Sequence, residues 1–359
     1  MDNFIFDLME TYDYENIFFC QEKTLGLKAI IVIHDTTLGP AAGGIRMMRY
    51  ETEADAIKDA ARLARSMTYK CAAAGLPYGG GKCVVIGDPK RDKNEALLRA
   101  LARFIHRLNG LYLVGPDVGT TLEDMEIMRT ESPYIVTLPE SWGGPGDSAP
   151  ATAFGVFRAI QACLKEVFGS GSPEGRTVAL QGIGSVGHLV LKYLTETGAK
   201  VTIADVDEER VHALAAQYAE YDVHIASPED IHRLEVDVYC PCALGGILND
   251  STIPELQCKI VCGSANNQFA SVYNSEQITQ RGILYAPDYI VSAGGVITGL
   301  DSLNPGGFNR QRAMEKVSRI YSAVENIFAI AREQHIPTYL AADVMAEDRI
   351  ASIRQVKTI

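Results

Sequence analysis

Apolar and polar positions along this 359-residue chain change period several times, and each change marks an element. Residues 28–34 (KAIIVIH) form a strand-like run, followed by a turn rich in glycine and proline at residues 39–44. From 53 to 67 the apolar positions Ala56, Ile57, Ala60, Leu63, Ala64 and Met67 recur at helical spacing. Gly79, Gly80, Gly81 and Lys82 then run directly into a short β-type stretch at 83–86. A helix over about 94–108 leads to a loop containing Pro116 and Asp117.

Glycine, proline and serine crowd together at 141–148, which predicts a linker. Beyond a long helix over 152–168, strands near 177–181, 200–204, 236–240, 259–262 and 283–286 alternate with helices or loops. That alternation predicts a parallel, doubly wound sheet. Val317, Ile320, Tyr321, Val324, Ile327 and Phe328 mark an amphipathic helix that stops before Pro337, and a final helix follows. The expected architecture is α/β with two domains: an N-terminal α/β catalytic domain over 1–146 and a Rossmann-type nucleotide-binding domain over 147–329.

Composition narrows the function. Apolar residues make up 47% and charged residues 22%, as in a globular protein, and no apolar run reaches the roughly 20 residues that span a bilayer. The acidic start, MDNFIFDLMETYDYEN, has no signal-peptide pattern, so the expected compartment is the cytoplasm, with no membrane partner. A net charge of −12 argues against nucleic acid, which needs clustered Lys and Arg. The eight cysteines are expected to be thiols, and the pairs Cys240/Cys242 and Cys258/Cys262 lack zinc-ligand spacing; no metal is expected.

The sharpest local motif is VALQGIGSVG at 178–187. It follows a strand, opens a helix, and precedes a second strand ending in Asp205. Gly182 permits the tight turn, Gly184 admits a pyrophosphate, and Gly187 allows close strand–helix packing; Ser185 and Val186 complete the turn. The helix start then stabilises phosphate charge. A carboxylate at Asp205 suits ribose hydroxyls and repels a 2′-phosphate, so NAD is the expected cofactor.

In the first domain, Lys82 follows three glycines and precedes an apolar strand. A stem packed at low dielectric lowers an ammonium pKa and makes a base usable near neutrality. Lys70 ends an apolar helix face and is placed to clamp a carboxylate, and Asp117 sits in a turn that presents its side chain.

With these motifs in hand, the chain resembles the glutamate/leucine/phenylalanine/valine dehydrogenase superfamily, in its shorter leucine- and phenylalanine-dehydrogenase-like branch. The resemblance runs nearly end to end, through HDTTLGPAAGG, MTYK, GGGK, PDVGTT, GDSAPATAFGV, the glycine fingerprint, CPCALGG, GSANNQ and LYAPDYIVSAGG. It implies Lys82 as general base, Asp117 as proton carrier at the amine, and Lys70 on the substrate carboxylate. Ala42, Gly43, Gly44, Met67 and Gly115 are expected to line the substrate site, and Thr152, Ala243, Asn266 and Asn267 to contact the cofactor. It further implies a homo-oligomer (dimer or octamer), catalysis in a cleft between two domains, and C-terminal helices at 330–359 returning to the first domain. The implied reaction is NAD-dependent oxidative deamination of an L-amino acid to a 2-oxo acid and ammonia.

Side-chain preference is read from two small residues. Ala42 stands where leucine-specific relatives carry leucine, and Gly115-Pro116 where they carry Ala-Glu. Both changes remove volume, which favours phenylalanine, with leucine and valine close; the alternatives are a leucine or branched-chain dehydrogenase and a catalytically silent NAD-binding sensor. Ile45 and Ser292 also depart from the family pattern, at positions usually Thr and Asn.

Overall fold

The computed structural model describes residues 4–271 and 273–357. The chain divides into two compact units. The first takes the described residues up to Asp147 together with Thr298–Arg310 and the helix end from Ala346 on; the second takes Ser148–Ile297 and Gln311–Met345.

In the first unit, α1 (Phe4–Tyr12) precedes β1 (Asn16–Glu22), β2 (Leu27–Asp35) and β3 (Ala41–Met48). Then come α2 (Glu53–Ala73), β4 (Gly79–Ile86), α3 (Glu95–Arg107), β5 (Tyr112–Pro116) and α4 (Leu122–Arg129). One sheet forms in the order β1-β2-β4-β3-β5. β2 is antiparallel to β1 and β4, whereas β3 is parallel to β4 and β5.

Helices cover both faces of β2, which is why its sequence reads as an unbroken apolar run. Ile30 and Val32 pack with Ala56, Ala60, Ala61 and Ala64 of α2, while Ile31 and Ile33 pack with Leu98, Leu101 and Ile105 of α3. Thr52 starts α2 by accepting the Asp55 N–H at 3.1 Å, which satisfies one of the free donors of the first turn. The turn expected at 39–44 is shorter than the composition implies, because Ala41–Met48 is a strand lying between β4 and β5. Alanine and glycine carry little strand preference of their own, so pairing on both sides makes this strand.

In the second unit, α5 (Ala149–Phe168) leads into β6 (Thr177–Gln181), α6 (Gly187–Glu196), β7 (Lys200–Ala204), α7 (Glu208–Gln217) and β8 (Val223–Ile225). β9 (Val238–Pro241), β10 (Ile260–Val261), α8 (Tyr273–Gln280), β11 (Leu284–Tyr285) and α9 (Asp288–Val291) follow. The strands order as β11-β10-β9-β6-β7-β8, and every pairing is parallel. β6 and β9 sit side by side where the strand order reverses, the place at which a doubly wound sheet opens a crevice.

The chain passes between units within α10 (Gly294–Asp301), at the start of α11 (Arg310–Ser318), and within α13 (Thr338–Lys357). These limits differ from the sequence division at 329/330. Packing explains the difference: α12 (Ile320–Gln334) buries Ile320, Val324, Ile327 and Phe328, and Ile320 approaches Gly155 of α5 so closely that a Cβ there would sit 2.7 Å from its Cδ1. Residues 298–310 belong to the first unit through Ser302, whose hydroxyl donates to the Val136 carbonyl at 3.2 Å, and Arg310, which pairs with Glu140 at 2.6 Å. No helix among the described residues is long and apolar enough to cross a membrane.

Candidate active site

The glycine run of β4 lets its neighbours come close on both faces. A Cβ on Gly80 would lie 2.1 Å from the Thr68 backbone nitrogen of α2, and one on Gly81 would lie 2.9 Å from the Tyr112 ring. Only backbone fits between them, and the next residue, Lys82, emerges from this packed strand with its side chain 7% exposed.

Lys82 Nζ lies 2.9 Å from Oδ2 of Asp117. Asp117 follows the last residue of β5, and its loop is tied to β3. Its N–H donates to Thr120 Oγ1 (3.0 Å), whose hydroxyl donates to the Ile45 carbonyl (2.8 Å), and the Met47 N–H donates to the Val118 carbonyl (2.8 Å). Gly44 leaves the space this pair needs: a Cβ there would meet Asp117 Cβ at 2.9 Å and Lys82 Nζ at 3.3 Å.

Burial pushes the Lys82 ammonium down from its usual value. The charge and hydrogen bond of Asp117 oppose that fall, and Arg46 adds to it. For Asp117, burial acts upward, but Lys82 and Arg46 together outweigh it and hold the carboxyl below its ordinary range. The pair is thus a buried amine, its pKa lowered, beside an ionised carboxylate.

Other expected residues fall on adjoining backbone. Gly44 pairs with Gly115 across β3 and β5, and Ala42 pairs with Gly80 across β3 and β4. Gly43 touches β4, where a Cβ would lie 1.9 Å from the Gly81 carbonyl. Met67 and Lys70 are half-buried in the last turns of α2, on either side of buried Thr68. Ile45 is wholly buried in the apolar core with Tyr112 and Met47 and does not face the pair. The space expected to open at Gly115 is filled, since a Cβ there would meet Thr137 Oγ1 at 2.8 Å.

Sequence reading missed Arg46. Its Nε donates to Asp117 Oδ2 at 2.9 Å, and its Nη1 to Asp59 Oδ2 at 3.0 Å. The signal was present: in a strand, Arg46 shares a face with Gly44 two residues before it. Reading 39–44 as a turn concealed that alternation.

In the second unit the glycine turn closes β6 onto α6. Gly182 has φ of 93°, a conformation an L side chain resists, and its N–H donates to the Ala204 carbonyl at 2.7 Å. A Cβ on Gly187 would lie 1.9 Å from the Gly182 carbonyl oxygen, whereas Gly184 faces open space. Ser185 is exposed and Val186 half-buried at the helix start. Asp205 accepts the Ile183 N–H at 2.8 Å and the Asp207 N–H at 3.1 Å, which fastens its carboxylate to the turn. Ala243, exposed beyond β9, packs on Gly182, with its nitrogen 2.7 Å from where a Cβ would be.

Asn266 and Asn267 are exposed beyond β10; the Gly246 N–H donates to the Asn267 carbonyl at 2.8 Å. Thr152 lies in the first turn of α5, its hydroxyl donating to Ser148 O at 3.0 Å and lying 3.2 Å from a Cβ placed on Gly295. Ser292, buried, ends α9. Open space over Gly184, a helix start and a fastened carboxylate fit a dinucleotide.

The sequence pattern of the Glu/Leu/Phe/Val dehydrogenase dimerisation domain matches residues 17–134, and that of glutamate/leucine/phenylalanine/valine dehydrogenase matches 143–209 and 202–357. The chain belongs to the glutamate/leucine/phenylalanine/valine dehydrogenase family. As a member of that family it is an amino-acid dehydrogenase acting on a CH–NH2 group, in a family generally dependent on NAD(P). It is 51% identical to the leucine dehydrogenase of Geobacillus stearothermophilus over 354 residues, 99% of this chain and 95% of the relative. It is 41% identical to the phenylalanine dehydrogenase of Thermoactinomyces intermedius over 355 residues, 99% and 96% of the two chains. The crystal structure of L-tryptophan dehydrogenase from Nostoc punctiforme superposes with a TM-score of 0.87 at 40% identity, covering 98% of this chain and 99% of that one.

Proposed function

We propose that this dehydrogenase oxidatively deaminates an L-amino acid with a branched aliphatic side chain, leucine first, using NAD. The observation that carries the reaction is the buried Lys82 Nζ 2.9 Å from Asp117. Two findings favour leucine over the phenylalanine preference read from Ala42 and Gly115. Thr137 occupies the volume beside Gly115, and identity is higher to the leucine than to the phenylalanine dehydrogenase.

In this reading Lys70 binds the substrate carboxylate as a cation, beside Ala42, Gly43, Gly44, Met67 and Gly115. Lys82, uncharged, takes a proton from the water that attacks the imino carbon; Asp117 moves the proton at the substrate nitrogen, so that the carbinolamine collapses to 2-oxo acid and ammonia. Backbone N–H groups of the turn at Gly182, Gly184, Ser185, Val186 and Gly187 hold the pyrophosphate, and Asp205 takes the ribose hydroxyls. Ala243, Thr152, Asn266 and Asn267 serve the nicotinamide end. When bound, NAD supplies the acceptor for the hydride from the substrate Cα. The first unit is the substrate domain and the second the nucleotide domain.

Self-association fits a chain whose residues 17–134 match a dimerisation domain. Eight free thiols, most of them buried, fit a reducing cytoplasm. A panel of leucine, valine, phenylalanine and tryptophan with NAD⁺ and NADP⁺ tests the reading. The expected order of kcat/KM puts leucine with NAD⁺ first; a folded enzyme that reduces neither nucleotide with any of the four overturns it.

A further inference from the structure

The mechanism just described, on which this inference rests, gives no part to a half-buried cation beside Asp117. Arg46 is 17% exposed and spans two carboxylates. Through Nε it reaches Oδ2 of Asp117 at 2.9 Å, the same oxygen that meets Lys82 Nζ at 2.9 Å. Through Nη1 it reaches Oδ2 of Asp59 on α2 at 3.0 Å. Asp59 is itself held, by the Tyr50 hydroxyl at 2.7 Å and by Arg62 at 3.0 Å.

Charges along this chain alternate. Asp117 and Asp59 are negative and Arg46, between them, is positive; Arg62 is 55% exposed, so water screens its charge. Arg46 thus offsets one of the two carboxylate charges that favour a proton on Lys82, and burial opposes the ammonium further. A brace between β3 and α2 would need only the arm on Asp59. The second arm ends on the carboxylate that faces the base.

We propose that Arg46 is a positioning residue of the deamination step: it holds Asp117 ionised against the base and denies Lys82 sole use of the oxygen that would retain its proton. The groups facing Lys82 are Asp117 from the loop after β5, Arg46 from β3 and Asp59 from α2. Without Arg46, two carboxylates face one amine with no competing cation between them, and Lys82 keeps its proton to higher pH. Without the Asp59 charge, one attraction on that proton disappears, and the change runs the other way. Opposite signs from two touching residues are the signature of this arrangement.

The test is the pH dependence of kcat at saturating leucine and NAD⁺, on the full chain, for the wild type, Arg46→Gln, Arg46→Lys and Asp59→Asn. Substrate ionisation is common to all four, so differences between them report the protein. Arg46→Gln is expected to move the acidic limb up by about one pH unit, roughly a tenfold loss below the limb that recovers at alkaline pH. Arg46→Lys, which keeps charge but not the forked geometry, is expected to move it less. Asp59→Asn is expected to move it down.

NAD⁺ affinity of Arg46→Gln, measured by calorimetry, is expected to match the wild type. A fall in kcat equal at every pH, with the limb in place, overturns the proposal and makes Arg46 a brace. So do shifts of one sign in Arg46→Gln and Asp59→Asn. Should Arg46→Gln fail to fold by circular dichroism, Asp59→Asn decides: a limb that stays or rises overturns the proposal. A wild type that oxidises no amino acid brings down the dehydrogenase reading and this proposal with it, whereas an active wild type with unmoved variants brings down only the role of Arg46.

Discussion

Single residues in the first unit show how burial selects protonation states. Lys82→Ala removes the amine proposed as base and is expected to lower kcat by about a thousandfold or more, within the range for a positioned proton acceptor, while NAD⁺ affinity by calorimetry is unchanged. Gly44→Ala tests geometry instead of chemistry. Its methyl would lie 2.9 Å from Asp117 Cβ and 3.0 Å from the Pro116 carbonyl, so the pair must shift. Turnover is expected to drop about tenfold, as for a displacement of well under 1 Å, with little change in Tm. His34 shows the same physics away from the site. Its Nδ1 accepts from the Thr68 hydroxyl at 2.9 Å, and its Nε2 donates to the Tyr12 carbonyl at 3.2 Å. Burial first, and the Arg65 charge to a lesser degree, lower its pKa from 6.5 to about 4 against the pull of Asp35. Between those values the unfolded chain binds the proton that the folded chain refuses, so stability falls as pH drops through that window, by up to about 3 kcal/mol. Urea unfolding of the wild type and His34→Gln at pH 7 and pH 4.5 checks this, the variant losing less on acidification. Lys82 was legible because three glycines mark it out. His34 was not, because its partners lie on other elements, and Arg46 was hidden by reading residues 39–44 as a turn.

Elements in this chain are made as much by what packs on them as by their own preferences. The helix α2 could be read from periodicity, since an apolar stripe has to be covered. β3 could not, being built from alanines and glycines that only the flanking strands hold extended. The β6–α6 turn is the opposite case, because strand, glycine spacing and helix together leave one arrangement. Gly187→Ala would force a methyl to 1.9 Å from the Gly182 carbonyl, and is expected to weaken NAD⁺ binding at least tenfold while leucine-independent folding of the first unit persists. Calorimetric titration with NAD⁺ checks it. Asp205→Ser tests the cofactor choice at the same turn: the ratio of kcat/KM for NADP⁺ to that for NAD⁺ is expected to rise about tenfold or more once the negative charge is gone.

At the scale of the whole molecule, contacts distant in sequence complete the first unit. The end of α13 fastens to it through Tyr69, whose hydroxyl donates to Glu347 at 2.7 Å, and through Arg349, which caps the Ala72 carbonyl at 2.6 Å. Arg354 adds a pair to Asp35 at 2.7 Å, but its side chain is 62% exposed, so water screens that contact. Arg349→Ala is expected to destabilise the first unit by about 1–2 kcal/mol, the cost of a lost half-buried hydrogen bond to a helix end, against under about 0.5 kcal/mol for Arg354→Ala. Denaturant midpoints of the two variants check the difference.

Local order along the chain was enough to determine the α/β class, the glycine turn between β6 and α6 with Asp205 after the next strand, and the family to which Gly79–Ile86 and its companions belong. Each of these rests on spacing within one or two elements, where backbone geometry leaves few choices. The tertiary structure alone decided that Arg46 shares Asp117 with Lys82, that Thr137 fills the space beside Gly115, and that residues 298–310 join the first unit. Those are facts of distance between segments, and a linear pattern carries no term for the desolvation and charge balance that arise only when the segments meet.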